Sequence, residues 1–214
     1  MSFRRNLFAA QGNCLIVKTL VKHPRDFDLK NYGPLFAELL QEERLNPLDA
    51  GEPNTRAKST LAALTIEKAF APNHIVDPEM ARACLAGIWL HHNFLEETHQ
   101  ISQSIATPAG SYWHGIMHRQ ETDFSNSKYW FHRVGTHPIF GSQHRAATEL
   151  AATNARKAST DFLLNQTRWD PFAFIDLCEN CVQHKSPTET LCRQIQRAEW
   201  NLLFHYCYQQ AVGK

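Results

Sequence analysis

Prolines that follow helix-capping residues are the sequence feature that most constrains the fold. Asp77-Pro78-Glu79 and Asp170-Pro171 each place an N-cap side chain before a proline in the first helical turn. Ser186-Pro187-Thr188-Glu189 adds the spacing of a capping box, and Pro34 begins a further segment of helical pattern. Glycine, at 9 of 214 residues, is too scarce for a turn-rich β-sandwich or barrel. Together these signals predict an all-α protein.

The spacing of apolar residues between the breaks predicts six to eight helices. Their predicted ranges are 34–45, 54–70, 77 to about 103, 111–121, the turn at 123–126 to 133, 143–165, 170 onward, and 186 through Tyr206. The connections are short, and no linker or internal repeat interrupts them. We therefore expect one domain over residues 1–214, built as a helical bundle or an orthogonal helical array. Residues 14–21 leave room for one short N-terminal strand.

Composition excludes several classes of protein. Hydrophobic residues make up 43% of the chain and the net charge is +1, which argues against a disordered chain. So small a charge also provides no overall basic surface for nucleic acid or an anionic membrane. No stretch approaches the roughly 20 apolar residues that cross a bilayer, and the start of the chain is too interrupted for a secretory signal. We expect a soluble, cytoplasmic protein without a nucleic-acid or membrane partner.

Histidines are concentrated in the middle of the chain, where eight of the 12 fall between residues 91 and 144. Two triplets with the spacing i, i+4, i+7 lie on consecutive predicted helices: His92, Glu96 and His99, then His114, His118 and Glu121. This spacing places three side chains on one helix face. If the two faces meet, four imidazoles and two carboxylates converge on one cavity.

Such a cluster has the chemistry of a metal site. Imidazole and carboxylate ligands suit zinc, iron, manganese or nickel, and we assign His92, Glu96 and His99 as candidate metal ligands. Glu96-x-x-His99 has the spacing of di-metal helical bundles, but it occurs once, so the pattern is not ferritin-like. The alternative is that these side chains only satisfy polar groups at a helix interface.

A second interpretation needs no metal. His114 and His118 lie one helical turn apart and are candidate catalytic acid–base residues, with Glu121 orienting an imidazole. Nearby aromatic and cationic side chains are candidates to bind a small polar ligand: Tyr112, Trp113, Arg119, Lys128, Arg133 and His137. The alternative is an aromatic core with inert histidines, and for Trp113 core packing is favoured.

The segment SYWHGIMHRQETDFSNSKYWFHRVGTHPIF, residues 111–140, resembles the core phrase of a family of uncharacterised bacterial and fungal proteins. LHHNFLEETHQISQ, residues 90–103, is similar to the preceding segment of the same family. The resemblance implies shared ancestry over about a fifth of the chain. It carries no activity, cofactor or catalytic residue to this sequence.

Among the six cysteines, Cys178 and Cys181 form a C-x-x-C pair. The helix that begins near Asp170 places this pair mid-helix, whereas redox pairs usually lie at a helix N-terminus. We expect both thiols to be reduced, unbridged and without a metal. A zinc site with His184 and Cys192, or thiol redox chemistry, is the alternative. Cys84 and Cys207 lie in apolar helical patterns and are predicted to be core residues.

No dinucleotide, P-loop, α/β-hydrolase or zincin motif occurs in the sequence. The favoured hypothesis is an enzyme, or a former enzyme, that acts on a small polar ligand such as a carboxylate, phosphate or sugar. The alternative is a ligand-binding or interaction protein that uses the same pocket without turnover. A third is a structural module whose histidine- and tryptophan-rich segment is an oligomer interface. The sequence predicts neither the reaction nor the oligomeric state.

Overall fold

The computed structural model describes residues 27–154 and 158–214, and eleven α-helices lie in these ranges. In chain order they are α1 Pro34–Leu39, α2 Lys58–Ala62, α3 Ile66–Phe70, α4 Pro78–His91, α5 Leu95–Ser102, α6 Pro108–Gln120, α7 Phe124–Val134, α8 Phe140–Thr153, α9 Asp161–Asn165, α10 Pro171–His184 and α11 Glu189–Val212. The described residues contain no strand, so the predicted all-α fold is confirmed. The predicted strand at 14–21 lies outside the described residues.

Three of the proline-marked helix starts are confirmed, and α1 begins at Pro34 as predicted. The carboxylate of Asp77 accepts hydrogen bonds from two amides in the first turn of α4, and Asp170 does the same for α10. The capping box at α11 is wrong. Ser186 Oγ accepts from the amide of Thr188 at 3.3 Å, and α11 begins at Glu189 without a side-chain cap. Residues 186–188 therefore form a turn before the helix.

The predicted helix from 77 to about 103 is two helices, because the chain turns at residues 92–94. Asn93 has a φ of 66°, a left-handed conformation that ends α-helices and that asparagine tolerates. Its side chain is held on both sides, donating to the carbonyl of Ala50 at 2.5 Å and accepting from Gln120. The turn rotates α5 relative to α4, so a face predicted across residue 93 is not continuous.

Other helix boundaries in the structure also differ from the predicted ones. The helix predicted over 34–45 ends at Leu39, and the one over 143–165 ends at Thr153, with α9 following. The helix over 54–70 is α2 and α3, because Thr65 caps α3. The helix over 111–121 begins earlier, at Pro108, because Thr107 Oγ1 accepts from the Gly110 amide at 3.2 Å.

Helix α6 lies at the centre of the fold, and twelve of its 13 residues are buried. It packs against α4, α5 and α7, while α11 packs on α4, α8 and α10. Two glycines permit the close approaches of α6. A Cβ on Gly87 of α4 would lie 2.8 Å from the Trp113 ring, and one on Gly115 would lie 2.8 Å from Phe131 of α7. Both faces of α6 are therefore closely covered.

Candidate metal centre

Three histidines converge where α5 meets α6. His99 comes from α5, and His114 and His118 lie one turn apart on α6. One ring nitrogen from each lies within 4.8 Å of the others. Zinc ligands at about 2.1 Å in a tetrahedron are about 3.4 Å apart, so small side-chain rotations would bring these nitrogens onto one ion. The cluster is therefore close enough to hold a metal ion.

A serine from α5 orients the ring of His114. Ser102 Oγ lies 3.0 Å from His114 Nδ1 and 3.3 Å from the carbonyl oxygen of His99. A hydroxyl has one proton, so if Ser102 donates to the carbonyl it accepts from Nδ1–H of His114. This tautomer leaves the lone pair of Nε2 on His114 available to a metal.

Glu121 orients His118 in a similar way. Its Oε2 lies 3.0 Å from His118 Nδ1, which fixes the proton on Nδ1 and exposes the lone pair on Nε2. Carboxylate–histidine–metal arrangements use the same contact. The amide of Asn126 now donates to Nε2 at 3.0 Å, so this amide would move aside when a metal binds.

The electrostatic environment keeps the two α6 histidines neutral. Burial lowers the pKa of His114 to about 3, and the neighbouring His118 and His99 add to the shift. Burial also lowers the pKa of His118, although Glu121 opposes it. Neutral imidazole is the form that coordinates metals, so a metal need not displace a proton from His114 at pH 7.

The cluster has a closed side and an open side. The ring of Trp130 lies over His114 with centroids 3.9 Å apart, and the guanidinium of Arg133 covers Trp130 at 5.1 Å. His114 is 1% exposed and His118 is 5% exposed, whereas His99 is only partly buried. A ligand would therefore approach from the His99 side.

The structure places His92 and Glu96 away from this cluster. His92 is the residue that caps α4, and its Nε2 donates to the carbonyl of Leu39 at 3.0 Å while its Nδ1 accepts from Asn54 at 3.1 Å. Both ring nitrogens of His92 are therefore engaged in hydrogen bonds. Glu96 is exposed and accepts from Gln100 at 2.7 Å. The turn at residue 93 is the physical reason why the predicted face of three ligands is not formed.

Three predicted ligand-binding residues are buried and have partners within the core. Tyr112 donates to Glu199 of α11 at 3.0 Å, and Arg119 forms an ion pair with the same carboxylate. Glu199 is 0% exposed, so Arg119 neutralises a buried charge rather than presenting one to solvent. Trp113 packs against Gly87 and Trp200, which is the core packing that the sequence favours for it.

The other three predicted ligand-binding residues are Lys128 and Arg133, which lie on α7, and His137, which follows it. Lys128 pairs with Asp176 of α10 at 2.5 Å, and Arg133 stacks on Trp130. His137 is buried beside Tyr112, and burial lowers its pKa to about 4. Of this group, only Arg133 adjoins the histidine cluster, through Trp130.

The thiols of the C-x-x-C segment are buried and free. Cys181 Sγ lies 3.5 Å from Cys192 Sγ and 3.0 Å from Thr188 Oγ1. His184, the histidine of the alternative zinc site, is exposed and donates through Nδ1 to the carbonyl of Asn180 at 3.1 Å. Within the part of the chain that the structure describes, the histidine cluster is the one group whose geometry suits a metal.

Sequence reasoning missed Ser102, Asn126 and the contact of Trp130 with His114. Ser102 follows His99 by three residues and so lies on the same face of α5, which is the local signal that would have found it.

Comparison of the chain with protein-family models, curated proteins and solved structures found no match. No helix in the described ranges is both long enough and apolar enough to span a membrane.

Proposed function

We propose that this protein binds one divalent transition-metal ion through His99, His114 and His118. The observation that carries the proposal is the pair of contacts behind the ligands. Ser102 and Glu121 occupy Nδ1 of His114 and His118, which directs the Nε2 lone pair of each ring towards coordination, although Asn126 must release Nε2 of His118 first. Three imidazoles favour zinc, nickel or iron over manganese, which prefers oxygen ligands.

Three protein ligands leave a fourth coordination position open, as in catalytic zinc sites. A metal held by His99, His114 and His118 would supply a water of lowered pKa and would polarise an oxygen of a bound ligand. His99 leaves the cluster accessible from one side, which supports access by a small polar molecule such as a carboxylate, phosphate or sugar. We therefore favour an enzyme that acts on such a ligand. Buried free thiols support a cytoplasmic location as part of this proposal.

A metal-free function is the second candidate. The contact of Glu121 with His118 Nδ1 has the geometry of a base held in one tautomer by a carboxylate. Nε2 of His118 would then accept a proton from a ligand after Asn126 moves. His114, whose pKa is about 3, would stay neutral and position the ligand by hydrogen bonding.

Zinc titration of the purified protein tests the metal proposal. We expect one zinc ion per chain, and a loss of affinity of at least about 100-fold in His99→Ala, which removes a ligand. His99 is only partly buried, so this variant should fold. His184→Ala is the matched control, because it removes an exposed histidine outside the cluster and should bind zinc as the wild type does.

Absence of stoichiometric binding to the wild type would refute the metal proposal, as would equal affinity in the wild type and His99→Ala. In that case His118→Gln and Glu121→Gln, assayed against a panel of small carboxylates and phosphates, would test the metal-free candidate.

A further inference from the structure

A pair of thiols connects the last turn of α10 to the first turn of α11. Cys181 Sγ lies 3.5 Å from Cys192 Sγ, and both side chains are buried. The sulfurs of a disulfide are about 2.05 Å apart, so each sulfur would move by less than about 1 Å to form one. The structure thus pairs Cys181 with a cysteine of the next helix, whereas the C-x-x-C spacing pairs it with Cys178 of its own helix.

The sulfur of Cys181 accepts hydrogen bonds from a chain of hydroxyl groups. Thr188 Oγ1 lies 3.0 Å from Cys181 Sγ and 2.7 Å from Ser186 Oγ. Ser186 Oγ accepts from the amide of Thr188 at 3.3 Å, which leaves the Ser186 proton for Thr188 Oγ1. The single hydroxyl proton of Thr188 then points to Cys181. A sulfur that receives hydrogen bonds in this way is suited to the thiolate form.

The electrostatic environment of Cys181 favours the thiolate as well. Thr188, which contacts it, is the residue that precedes α11, so the sulfur lies near the positive end of a 24-residue helix. Hydrogen bonds from Cys192, Thr188 and Ser186 lower the pKa of Cys181 to about 6, against the opposing effects of burial and Glu189. At pH 7 this sulfur is therefore mostly ionised and nucleophilic.

Cys192, in contrast, keeps its proton. Its contacts with the sulfurs of Cys178 and Cys181, together with burial, raise its pKa. The two sulfurs of the pair therefore differ in protonation, with a thiolate on Cys181 and a thiol on Cys192. This division supplies both a nucleophile and, beside it, a proton that can leave with a departing hydroxyl group.

The turn between α10 and α11, residues 185–188, lies against the thiol pair. The amides of Lys185 and Ser186 both donate to the carbonyl of Cys181. Lys185 and Pro187 are exposed, and Lys185 has a φ of 47°, a left-handed conformation that is strained in a lysine. Local opening of such a turn requires far less free energy than unfolding of the protein. A molecule as small as a peroxide can then reach Cys181 while the two helices stay packed.

We propose that Cys181 and Cys192 form a reversible disulfide on exposure to hydrogen peroxide, with Cys181 as the reacting sulfur and Cys192 as the resolving thiol. In the first step the Cys181 thiolate attacks one peroxide oxygen and the O–O bond breaks. Hydroxide leaves and takes up a proton to become water, and Cys181 is oxidised to a sulfenic acid. In the second step the sulfur of Cys192 attacks that of Cys181, the S–O bond breaks, and the hydroxyl leaves with the Cys192 proton as water.

Together the two steps convert two thiols and one peroxide into one disulfide and two waters. An added dithiol reverses the reaction by thiol–disulfide exchange. The modification goes beyond the proposed metal binding and does not depend on it, because the metal ligands lie on α5 and α6.

Peptide mapping after treatment with hydrogen peroxide tests the proposal, once the remaining free thiols have been alkylated. Trypsin cleaves after Lys185 and Arg193, so the disulfide would join peptide 169–185 to peptide 186–193. We expect this linked pair in the wild type, and its loss on addition of dithiothreitol. Cys178 and Cys181 are on the same peptide. Cys178→Ser is therefore the matched control and should keep the linkage, whereas Cys181→Ser should lose it.

The order of the two steps has separate readouts. Cys192→Ser removes the resolving thiol, so Cys181 should remain a sulfenic acid and be labelled by dimedone. The rate of oxidation should fall by about tenfold from about pH 7 to about pH 5, because the pKa of Cys181 is about 6. An ordinary cysteine, with a pKa near 8.5, would lose about 100-fold over the same range. A loss of that size would contradict the role given to Cys181.

Two outcomes of the mapping would overturn the proposal. One is that peroxide leaves the two wild-type peptides unlinked while it oxidises glutathione in the same solution. The other is that Cys181→Ser keeps the linkage, because the bridge would then join Cys178 to Cys192. The first measurement uses the wild-type chain, so it decides the question even if a variant fails to fold.

Discussion

Replacing Glu121 should weaken metal binding without unfolding the protein. Its carboxylate contacts His118 Nδ1 at 3.0 Å, and its side chain is 35% exposed. A hydrogen bond this exposed, between a carboxylate and a neutral imidazole, contributes about 1 kcal/mol or less to stability. The same contact fixes the tautomer of a metal ligand, and such contacts are worth about 10- to 100-fold in metal affinity, or about 1.4–2.7 kcal/mol. Replacing Glu121 should therefore reduce the free energy of metal binding by more than it reduces the free energy of unfolding.

Two substitutions of Glu121 should lower zinc affinity to different extents, and a third variant serves as the control. Glu121→Gln keeps a hydrogen-bond acceptor and should lose about tenfold in zinc affinity, whereas Glu121→Ala removes the acceptor and should lose up to about 100-fold. Glu96→Ala is the control, because that exposed carboxylate contacts only Gln100 and should leave affinity unchanged. Competition with a chromophoric zinc chelator measures affinity, and thermal unfolding measures stability. Equal zinc affinity in all three variants and the wild type would refute the role given to Glu121.

Three further predictions concern Ser102, the buried pair of Arg119 and Glu199, and the buried histidines. Ser102→Ala should cost about 1–2 kcal/mol of unfolding free energy in denaturant titrations and about tenfold in zinc affinity, because His114 loses its partner; unchanged zinc affinity would contradict this. Arg119→Leu should cost about 3–5 kcal/mol, because the carboxylate of Glu199 is left buried and unpaired, and adding Glu199→Gln should recover part of the loss. The pKa values of His114 and His137, about 3 and about 4, lie below the unfolded value near 6.5. Stability should therefore fall as pH drops from about 6.5 towards 4, by up to about 1.4 kcal/mol per pH unit for each histidine, as melting temperatures across that range would show.

The local part of the site was predictable from the sequence. His114 and His118 are four residues apart on α6, so their shared face depends only on helical geometry. The contact of His118 with Glu121 also lies within one turn. His99 reaches the same place because α5 and α6 are consecutive helices joined by a short connection. The helix class of the fold was predictable for the same reason, since capping by Asp77 and Asp170 is local.

The rest of the site depends on contacts between distant residues. His92 leaves the predicted face because Asn93 adopts a left-handed conformation, which Ala50 and Gln120 hold from other parts of the chain. Arg119 is indistinguishable from a surface cation in the sequence until Glu199, eighty residues later, is brought against it. A periodic pattern predicts which side chains share a face, but it does not predict what that face meets.

The buried pair of Arg119 and Glu199 has a consequence for how α6 is aligned with α11. Apolar side chains on two helices can slide past each other by a turn and still find contacts, whereas a buried ion pair is satisfied only in the alignment that brings its two partners together. Arg119 directly follows His118 on α6, so the alignment that satisfies Glu199 also fixes the rotation of α6 about its own axis. The direction in which His114 and His118 point towards α5 is thus set by a carboxylate on a different helix. A variant that replaced the pair with well-packed leucines could be equally stable and still lose the histidine cluster.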